Sequence, residues 1–221
     1  MPVALVTGAT RGLGRELALA LSGRGWELVL DARRPSPEPL PGTLLAGDVT
    51  DPSHRADLVA AVRRLGRLDL LVNNASSLGP GLQPLGGYPL EELRSVLDVD
   101  LLAPLALVQD LLPLLRDSDG TLVDVSSDAG VEAYAGWGGY GLAKAALDHA
   151  TAVLAVEEPG VRCYALDPGD MSTDLHQQAF PGEDITDRPA PVTVVPAFLR
   201  LLDERPPSGR YRAADLPAVR P

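Results

Sequence analysis

Lysine is almost missing from this chain: 18 of its 19 basic residues are arginines, and the only ammonium side chain is that of Lys144. Cysteine is equally scarce, since Cys163 stands alone, and no disulfide can form within the chain. No apolar run approaches the roughly 18 residues that a membrane-spanning helix needs. These absences argue against a disulfide-linked fold and a membrane protein, and they make the single lysine a residue to explain.

The charge balance is acidic, with a formal net charge of -11 and a pI of about 4.6. Such a surface repels nucleic acids and anionic membranes, so neither is expected as a partner. No basic segment precedes the first apolar stretch, which predicts no signal peptide and a cytoplasmic location. The three histidines show no spacing typical of metal ligands, so no metal site is expected. His54 is expected to be exposed at the start of a helix.

Short apolar runs alternate with helical patterns along the chain, as in doubly wound α/β proteins. The length of 221 residues, 45% of them apolar, suits one domain, 1–221. Strands rich in Val and Leu on both faces are predicted at 3–8, 27–32, 43–48, 68–73, 120–126 and 161–167, with a weaker one at 209–215. The predicted fold is a Rossmann-type parallel sheet of six or seven strands with helices on both faces. A surface loop is predicted for the proline-rich segment 33–42.

Helical patterns fill the gaps between these strands. One helix is expected to begin with Asp51 as its N-cap, and another covers 138–157. The stretch 91–115 also has a helical pattern but contains Pro104. Because proline cannot continue the hydrogen bonds of a helix interior, a kink or restart is predicted near 99–103.

A glycine-rich segment, VTGATRGLG (6–14), follows the first predicted strand and opens the first helix. Gly8, Gly12 and Gly14 would let the backbone turn sharply and approach a diphosphate, which the helix N-terminus then binds. Further candidates for cofactor contacts in the segment are Thr10, Arg11 and Leu13. The segment predicts a dinucleotide site.

The end of the second strand carries two competing indications of cofactor type. Asp31 can accept a hydrogen bond from a ribose 2′-hydroxyl, which favours NAD. Arg33 and Arg34 can pair with a 2′-phosphate, which favours NADP, and Arg11 adds a third cation. The three cations tilt the prediction toward NADP(H). Asp48 and the segment NNAS (73–76) lie at the carboxyl ends of the next two strands, where open α/β sheets bind ligands.

Tyr140 and Lys144 are four residues apart and therefore share one helical face. A nearby ammonium lowers the pKa of a phenol, which can then exchange a proton with an alcohol or carbonyl oxygen. This role explains a lysine kept in a chain that otherwise uses arginine. Tyr134 is a rival phenol with no basic residue at the same spacing. Ser127, at the end of the fifth strand, can hold the substrate oxygen or simply form a turn.

Together these segments resemble those of the classical short-chain dehydrogenases/reductases over essentially the full chain. TGATRGLG (7–14) is similar to the family's TGxxxGxG, NNAS to NNAG, and YGLAK (140–144) to YxxxK. A serine lies thirteen residues before the tyrosine, and PGDMST (168–173) is similar to a PGxxxT segment.

The resemblance implies roles for individual residues. It implies that Tyr140 is the general acid/base, that Ser127 orients the substrate oxygen, and that Lys144 binds the nicotinamide ribose and lowers the tyrosine pKa. Asp48 would contact adenine and Thr173 the carboxamide. Other cofactor contacts implied by the matching segments are Val49, Asn74, Ala75, Pro168, Gly169 and Met171.

Two residues depart from the family pattern. Asp100 stands where the family usually has a catalytic asparagine, and it adds a negative charge near Lys144 that is expected either to slow the proton relay or to raise the tyrosine pKa. Ser76 replaces the glycine of NNAG. The segment after Thr173 is short, so only a small lid is expected over the substrate.

Two functions follow from these residues. The leading one is hydride transfer between NADP(H) and a carbonyl or secondary alcohol, with a small neutral substrate, in a homodimer or homotetramer. The alternative is a cofactor-binding, redox-responsive regulator with weak or no catalysis, and Asp100 is its only motivation.

Overall fold

The computed structural model describes residues 1–36 and 38–216. Pro37, in the predicted loop 33–42, and the last five residues of the predicted domain lie outside the described residues. Within the described part, no helix has both the length and the apolar character needed to cross a membrane.

Seven strands form one sheet, as predicted, with every neighbouring pair parallel. They are β1 (Val3–Val6), β2 (Glu27–Ala32), β3 (Thr43–Ala46), β4 (Leu70–Asn73), β5 (Thr121–Val125), β6 (Arg162–Asp167) and β7 (Gly209–Arg212). Their spatial order is β3-β2-β1-β4-β5-β6-β7. The chain order therefore reverses between β1 and β4, and such a switch point is where open α/β sheets bind ligands.

Helices cover both faces of the sheet. They are α1 (Gly12–Gly23), α2 (Pro52–Leu65), α3 (Leu90–Leu97), α4 (Ala103–Asp117), α5 (Gly138–Glu157), α6 (Asp174–Ala179) and α7 (Val195–Glu204). One core cluster joins the sheet to α1 and α7, and it includes Leu17 and Phe198. A second cluster joins the other face to α2 and α4, and it includes Leu58 and Leu111. The Rossmann-type fold expected from the sequence is confirmed.

Local capping explains the bounds of α2. The Asp51 carboxylate accepts a hydrogen bond of 2.8 Å from the main-chain N–H of Ser53, as an N-cap should. The helix ends at Gly66, whose φ of 75° is the left-handed conformation that glycine adopts easily.

The predicted kink near Pro104 is a π-helical turn, Asp98–Leu102, between α3 and α4. Pro104 lies in the first turn of α4, where its missing N–H costs little. A π-turn widens the helix and often marks a functional position. Here it contains Asp100, which is fully buried.

Candidate active site

The glycine-rich turn between β1 and α1 leads into a helix without a side-chain cap. Gly8 and Gly12 have φ of 65° and 53°, values that other residues adopt only with strain. Arg11 is the N-cap of α1, but its side chain makes no capping hydrogen bond, and the first turn holds no acidic residue. The first amides of α1 and the positive end of its dipole are therefore suited to an anion such as a diphosphate.

Asn74 joins this turn to the end of β4. Its side-chain amide donates to the carbonyl oxygens of Thr7 (2.8 Å) and Gly8 (3.2 Å). The Thr7 hydroxyl accepts from the main-chain N–H groups of Asn74 and Ala75, both at 2.9 Å. A Cβ on Gly8 would lie 2.9 Å from Nδ2 of Asn74, and one on Gly14 would overlap the carbonyl oxygen of Gly8. The packing of this turn therefore requires both glycines.

The segment after β6 lies across from the same turn. Gly169 has a φ of 74°, and its N–H donates to the Asp167 carboxylate at 3.0 Å. Thr173 is the N-cap of α6 and accepts from the N–H of His176 at 3.3 Å. A Cβ on Gly12 would lie 3.5 Å from the methyl group of Thr173. The structure thus brings the two glycine-containing segments of the sequence together.

Leu13 and Val49 differ from the other predicted cofactor residues. Both side chains are buried in the core clusters. Only their main-chain atoms are available to a cofactor. Thr10, Pro168 and Met171 are partly exposed in the segments that face each other.

The expectation that His54 is exposed is wrong. Its Nε2 lies 2.6 Å from Oδ1 of Asp31, and both side chains are buried. The other oxygen of Asp31 accepts from the main-chain N–H of Gly8 at 3.3 Å. Sequence position suggested a helix start in solvent, but the segment after β3 packs against the side chain so closely that a Cβ on Gly47 would overlap the imidazole ring. Asp31 is therefore engaged within the protein and is poorly placed to receive a ribose hydroxyl.

The three predicted cations have different surroundings. Arg33 and Arg34 are exposed just beyond the end of β2. Arg11 is also exposed, but it forms an ion pair of 2.7 Å with Asp174 at the start of α6. Hydrogen bonds from Thr50 lower the pKa of Asp48, and the Arg33 guanidinium lowers it further. Arg33 is thus close enough to Asp48 for their charges to interact.

These residues fit a dinucleotide cofactor. The uncapped N-terminus of α1 provides donors for a diphosphate. The glycines that approach Asn74 and Thr173 leave no side chain over the turn. The exposed arginines after β2 add positive charge where the adenosine end of a cofactor lies in folds of this type.

Tyr140 and Lys144 lie on the buried side of α5, as their spacing predicted. The Lys144 ammonium is 5.4 Å from the centre of the Tyr140 ring. It donates to the carbonyl oxygen of Val125 at 2.9 Å and lies 3.2 Å from Oδ1 of Asp100. The lysine side chain is only 2% exposed. Burial opposes its charge, but Tyr140 and Asp100 outweigh this effect and raise its pKa.

The pKa of Tyr140 moves in the opposite direction from the one expected from Lys144 alone. Burial raises it most strongly, and Lys144 lowers it. Asp100 raises it, as expected for a negative charge nearby, whereas hydrogen bonding with Ser76 and Ser127 lowers it. The net direction is upward. The contributions of Lys144 and Asp100 both have the sign expected from the sequence, and burial decides the net direction.

Among the described residues, the partners of the Asp100 carboxylate are all hydrogen-bond donors. Ser76 Oγ donates to Oδ1, which is also the oxygen nearest Lys144. The main-chain N–H of Ser77 donates to Oδ2 at 3.0 Å. Burial raises the pKa of Asp100, and the Lys144 charge and the bonds from the two serines oppose that rise. The three donors suit the ionised carboxylate.

A second buried acid, Asp124 on β5, lies behind Lys144. Its carboxylate accepts from Asn73 Nδ2 at 2.7 Å and from the Thr151 hydroxyl at 2.6 Å. Burial raises its pKa to about 6, although these two bonds and the charge of Lys144 oppose the rise. The charge of Lys144 thus interacts with two buried carboxyl groups, those of Asp100 and Asp124.

Ser127 forms part of the turn that follows β5. Its hydroxyl accepts from the N–H of Ala129 at 3.2 Å and lies 3.1 Å from Oδ1 of Asp128. Its carbonyl oxygen accepts from Arg210 of β7 at 3.0 Å. Turn formation, one of the two functions considered for this serine, is therefore observed, and contact with a substrate oxygen stays a prediction.

Sequence reasoning missed several residues that shape the site. Thr7 locks the ends of β1 and β4 together, and Arg210 also pairs with Asp148 and Asp167. The only advance indication for Ser76 was that it replaces a glycine of the family pattern. No local pattern pointed to Arg210, because its partners come from three distant segments.

Comparison with known proteins shows the family to which the chain belongs. The model of the short chain dehydrogenase family matches residues 2–184. Sepiapterin reductase of Rattus norvegicus is 37% identical over 201 residues, covering 80% of this chain and 77% of that protein.

Two solved structures are similar in fold. One is a short chain dehydrogenase of Shigella flexneri 2a complexed with NADP, with a TM-score of 0.87 and 29% identity over 96% of this chain and 97% of the other. The second, from Escherichia coli CFT073 and complexed with NADPH, has a TM-score of 0.86 and 29% identity over 96% of each chain. The chain belongs to the short chain dehydrogenase family and is an NAD(P)-dependent oxidoreductase.

Proposed function

We propose that the chain interconverts a carbonyl compound and an alcohol with NADP(H), and that Tyr140 transfers the proton. The observation that carries this proposal is the pair formed by Tyr140 and Lys144, which lies at the same edge of the sheet as the uncapped α1. A phenol and a buried ammonium in contact are suited to proton transfer at a substrate oxygen.

The chain's own residues would bind the cofactor, orient the substrate and transfer the proton. The cofactor would be held by the α1 amides, by Asn74 and Ala75, by Thr173 and by Lys144. The bound nicotinamide supplies the hydride in reduction and accepts it in oxidation. In reduction, Tyr140 gives its proton to the carbonyl oxygen, and Ser127 holds that oxygen beside the phenol. In oxidation, the alcohol proton returns to Tyr140.

NADP(H) is the proposed cofactor, and the state of Asp31 supports it. A carboxylate that already binds His54 and the N–H of Gly8 offers little to a ribose 2′-hydroxyl. Arg33 and Arg34 remain exposed after β2, where a guanidinium can pair with a 2′-phosphate. The two similar structures complexed with NADP and NADPH add support.

The proposed substrate is a small neutral carbonyl or alcohol. An apolar cluster lies next to Tyr140 and includes Leu78, Leu82, Trp137 and Phe180. Trp137 makes an edge contact with the Tyr140 ring, with 5.9 Å between centroids. Asp128 and Asp170 lie close in sequence to residues of this cluster. Their negative charges disfavour the binding of an anionic substrate.

We further propose that the chain is a single domain and assembles as a homodimer or homotetramer. Apolar side chains are exposed on the π-turn and α5, namely Leu102, Leu142, Val153 and Val156. A monomer mass in light scattering would contradict assembly. The redox-responsive regulator that Asp100 motivated gains no support from the comparisons, and a cytoplasmic location stays a prediction.

The test is cofactor oxidation against a panel of aldehydes, ketones and quinones. Tyr140→Phe is expected to lower kcat by about 10²- to 10⁴-fold while NADPH binding, measured by fluorescence, is retained. The matched control is Tyr134→Phe, since the Tyr134 phenol is exposed and bonds to Asp128 at 2.9 Å. Equal activity of Tyr140→Phe and the natural chain would refute the proposed role.

The same assay tests the choice of cofactor. Arg33→Ala is expected to raise the KM for NADPH by about tenfold and to change the KM for NADH little, because only NADPH carries the 2′-phosphate. Equal changes with both cofactors would contradict the NADP proposal.

A further inference from the structure

Arg210 on β7 contacts three segments around the site at once. Its Nε donates to Oδ2 of Asp148 on α5 at 2.9 Å. Its Nη2 donates to Oδ2 of Asp167, the last residue of β6, and to the carbonyl oxygen of Ser127, each at 3.0 Å. The three partners lie 43 to 83 positions earlier in the chain. A planar guanidinium suits this arrangement, because its donors point in fixed directions and can satisfy several acceptors together.

The bond to Asp148 reaches the helix of the proposed proton donor. Asp148 follows Lys144 by four residues and Tyr140 by eight, so the three side chains lie toward the same face of α5. Asp148 is mostly buried, and its Oδ1 has no hydrogen-bond partner among the described residues. Arg210 therefore makes the hydrogen bond that attaches this carboxylate to the sheet.

The other two bonds reach the turn after β5 and the segment after β6. Ser127, whose carbonyl oxygen Arg210 binds, is the residue proposed to hold the substrate oxygen. Asp167 accepts from Arg210 through Oδ2 and from the N–H of Gly169 through Oδ1. One side chain thus connects α5, the Ser127 turn and the start of the segment 168–173.

The charges around Arg210 make these connections interdependent. One guanidinium lies between two carboxylates that are mostly buried, those of Asp148 and Asp167. The nearest other cation is Arg212, whose side chain is 62% exposed and lies 4.0 Å from Asp167. Without Arg210, the two carboxylates would repel each other in a poorly hydrated place, and α5 would tend to move away from the end of β6.

We propose that Arg210 is a positioning residue, which fixes the Ser127 turn against the face of α5 that carries Tyr140. The inference rests on the proposed function, because it assigns what aligns the two hydroxyl groups of that reaction. Arg210 acts through its three partners and touches neither the substrate nor the cofactor.

The first test is Arg210→Met, which keeps an unbranched apolar side chain and removes every donor. The kcat is expected to fall about 10- to 100-fold, because a small misalignment of the reacting groups is costly. The Kd for NADPH, measured by fluorescence, is expected to rise by a smaller factor, since the α1 amides and Asn74 are unchanged. An unchanged kcat would overturn the proposal.

Hydrogen exchange of the cofactor-free protein tests the same assignment without turnover. The N–H of Gly130 donates to the Ser127 carbonyl at 3.1 Å, and the N–H of Gly169 donates to Asp167, so both amides share an acceptor with Arg210. In Arg210→Met, these amides are expected to lose protection, while those of β2 keep theirs. Equal loss in all segments would show a general stabilising role and overturn the proposal. A lack of turnover with every substrate would count against the proposed function alone.

A double variant separates positioning from the balance of charge. Arg210→Met combined with Asp148→Asn removes one of the two carboxylates that repel each other, so part of the thermal stability lost in Arg210→Met is expected to return. The kcat is expected to stay low, because the Ser127 carbonyl still lacks its donor. Recovery of kcat together with stability would show that Arg210 only neutralises charge, and would overturn the proposal.

Arg212→Met is the matched control on the same strand. It removes the same charge two residues away, but Arg212 is largely exposed and has only the 4.0 Å contact with Asp167. Its kcat and its exchange pattern are expected to equal those of the natural chain. If Arg212→Met reproduced the effects of Arg210→Met, the charge of β7 as a whole would be responsible, and the assignment to Arg210 would be wrong.

Discussion

The two ends of the site are formed by different kinds of chemical groups. The cofactor end consists of main-chain amides and glycines, held by neutral hydrogen bonds from Thr7 and Asn74. The proton end consists of buried ionisable groups, with Lys144 between Asp100 and Asp124 and against Tyr140. The first end depends on space and backbone direction, whereas the second depends on a balance of charges among buried groups.

This difference predicts how substitutions at each end affect binding, stability and pH dependence. A steric change at the cofactor end should weaken binding and cost moderate stability, with little dependence on pH. A change of charge at the proton end should cost more stability and should alter the pH dependence of the whole protein. Three changes test this contrast, in descending order of expected effect.

The largest effect is expected from Lys144→Met. This change leaves two buried carboxyl groups without their cation, so the free energy of unfolding at pH 7 should fall by about 3–5 kcal/mol. Urea unfolding followed by circular dichroism measures it. The double change Lys144→Met with Asp100→Asn should recover part of the loss, because one of the stranded charges is removed. Additive losses in the double variant would argue against a charge balance.

The second effect concerns pH and Asp124. Its folded pKa of about 6 lies above the ordinary value of 3.8, so the folded state binds more protons than the unfolded state between these values. Its stabilising contribution is complete below pH 3.8 and is lost as the pH rises through 6. The gap corresponds to at most about 3 kcal/mol.

Asp124→Asn should remove this part of the pH dependence between pH 4 and pH 6.5, as measured by urea unfolding at each pH. The substitution can be accommodated, because Oδ1 of Asn73 is buried without a partner and can accept from the new amide after a flip. An unaltered slope would place the responsible group elsewhere.

The smallest effect is expected at the cofactor end, from Gly14→Ala. The new methyl group would overlap the carbonyl oxygen of Gly8 and the side chain of Asn74. A loss of about 1–3 kcal/mol and a weaker affinity for NADPH are expected, both independent of pH. Gly23→Ala is the matched control on the same helix, since a Cβ there meets no atom within 4 Å. Similar losses for the two variants would contradict a role of close packing.

The same contrast decides what could be predicted from the sequence. Strand and helix positions follow from local patterns such as the apolar runs and the N-cap Asp51, and these were confirmed. Pro104 predicted an interruption, but not that the interruption would be a π-turn. The tight turn around Gly8 and Gly14 was also predictable, because glycine spacing reports directly on backbone geometry.

The proton end could be predicted only in part. The spacing of Tyr140 and Lys144 placed them on one face, but the balance of burial and charge that sets the tyrosine pKa depends on packing. The bonds from Ser76 to Asp100 and from His54 to Asp31 join residues more than twenty positions apart. Such pairs arise from the tertiary fold and leave no periodic pattern in the chain.

The single lysine determines how the protein reacts with reagents that modify primary amines. Reagents that acylate or cross-link primary amines find, besides the amino terminus, one Nζ atom in this chain, and it is 2% exposed and bound to Asp100 and Val125. Such a reagent reaches Lys144 only when α5 opens away from β5. The rate of acylation at this one position therefore measures how often α5 opens around Lys144, and any molecule that holds α5 closed will slow it.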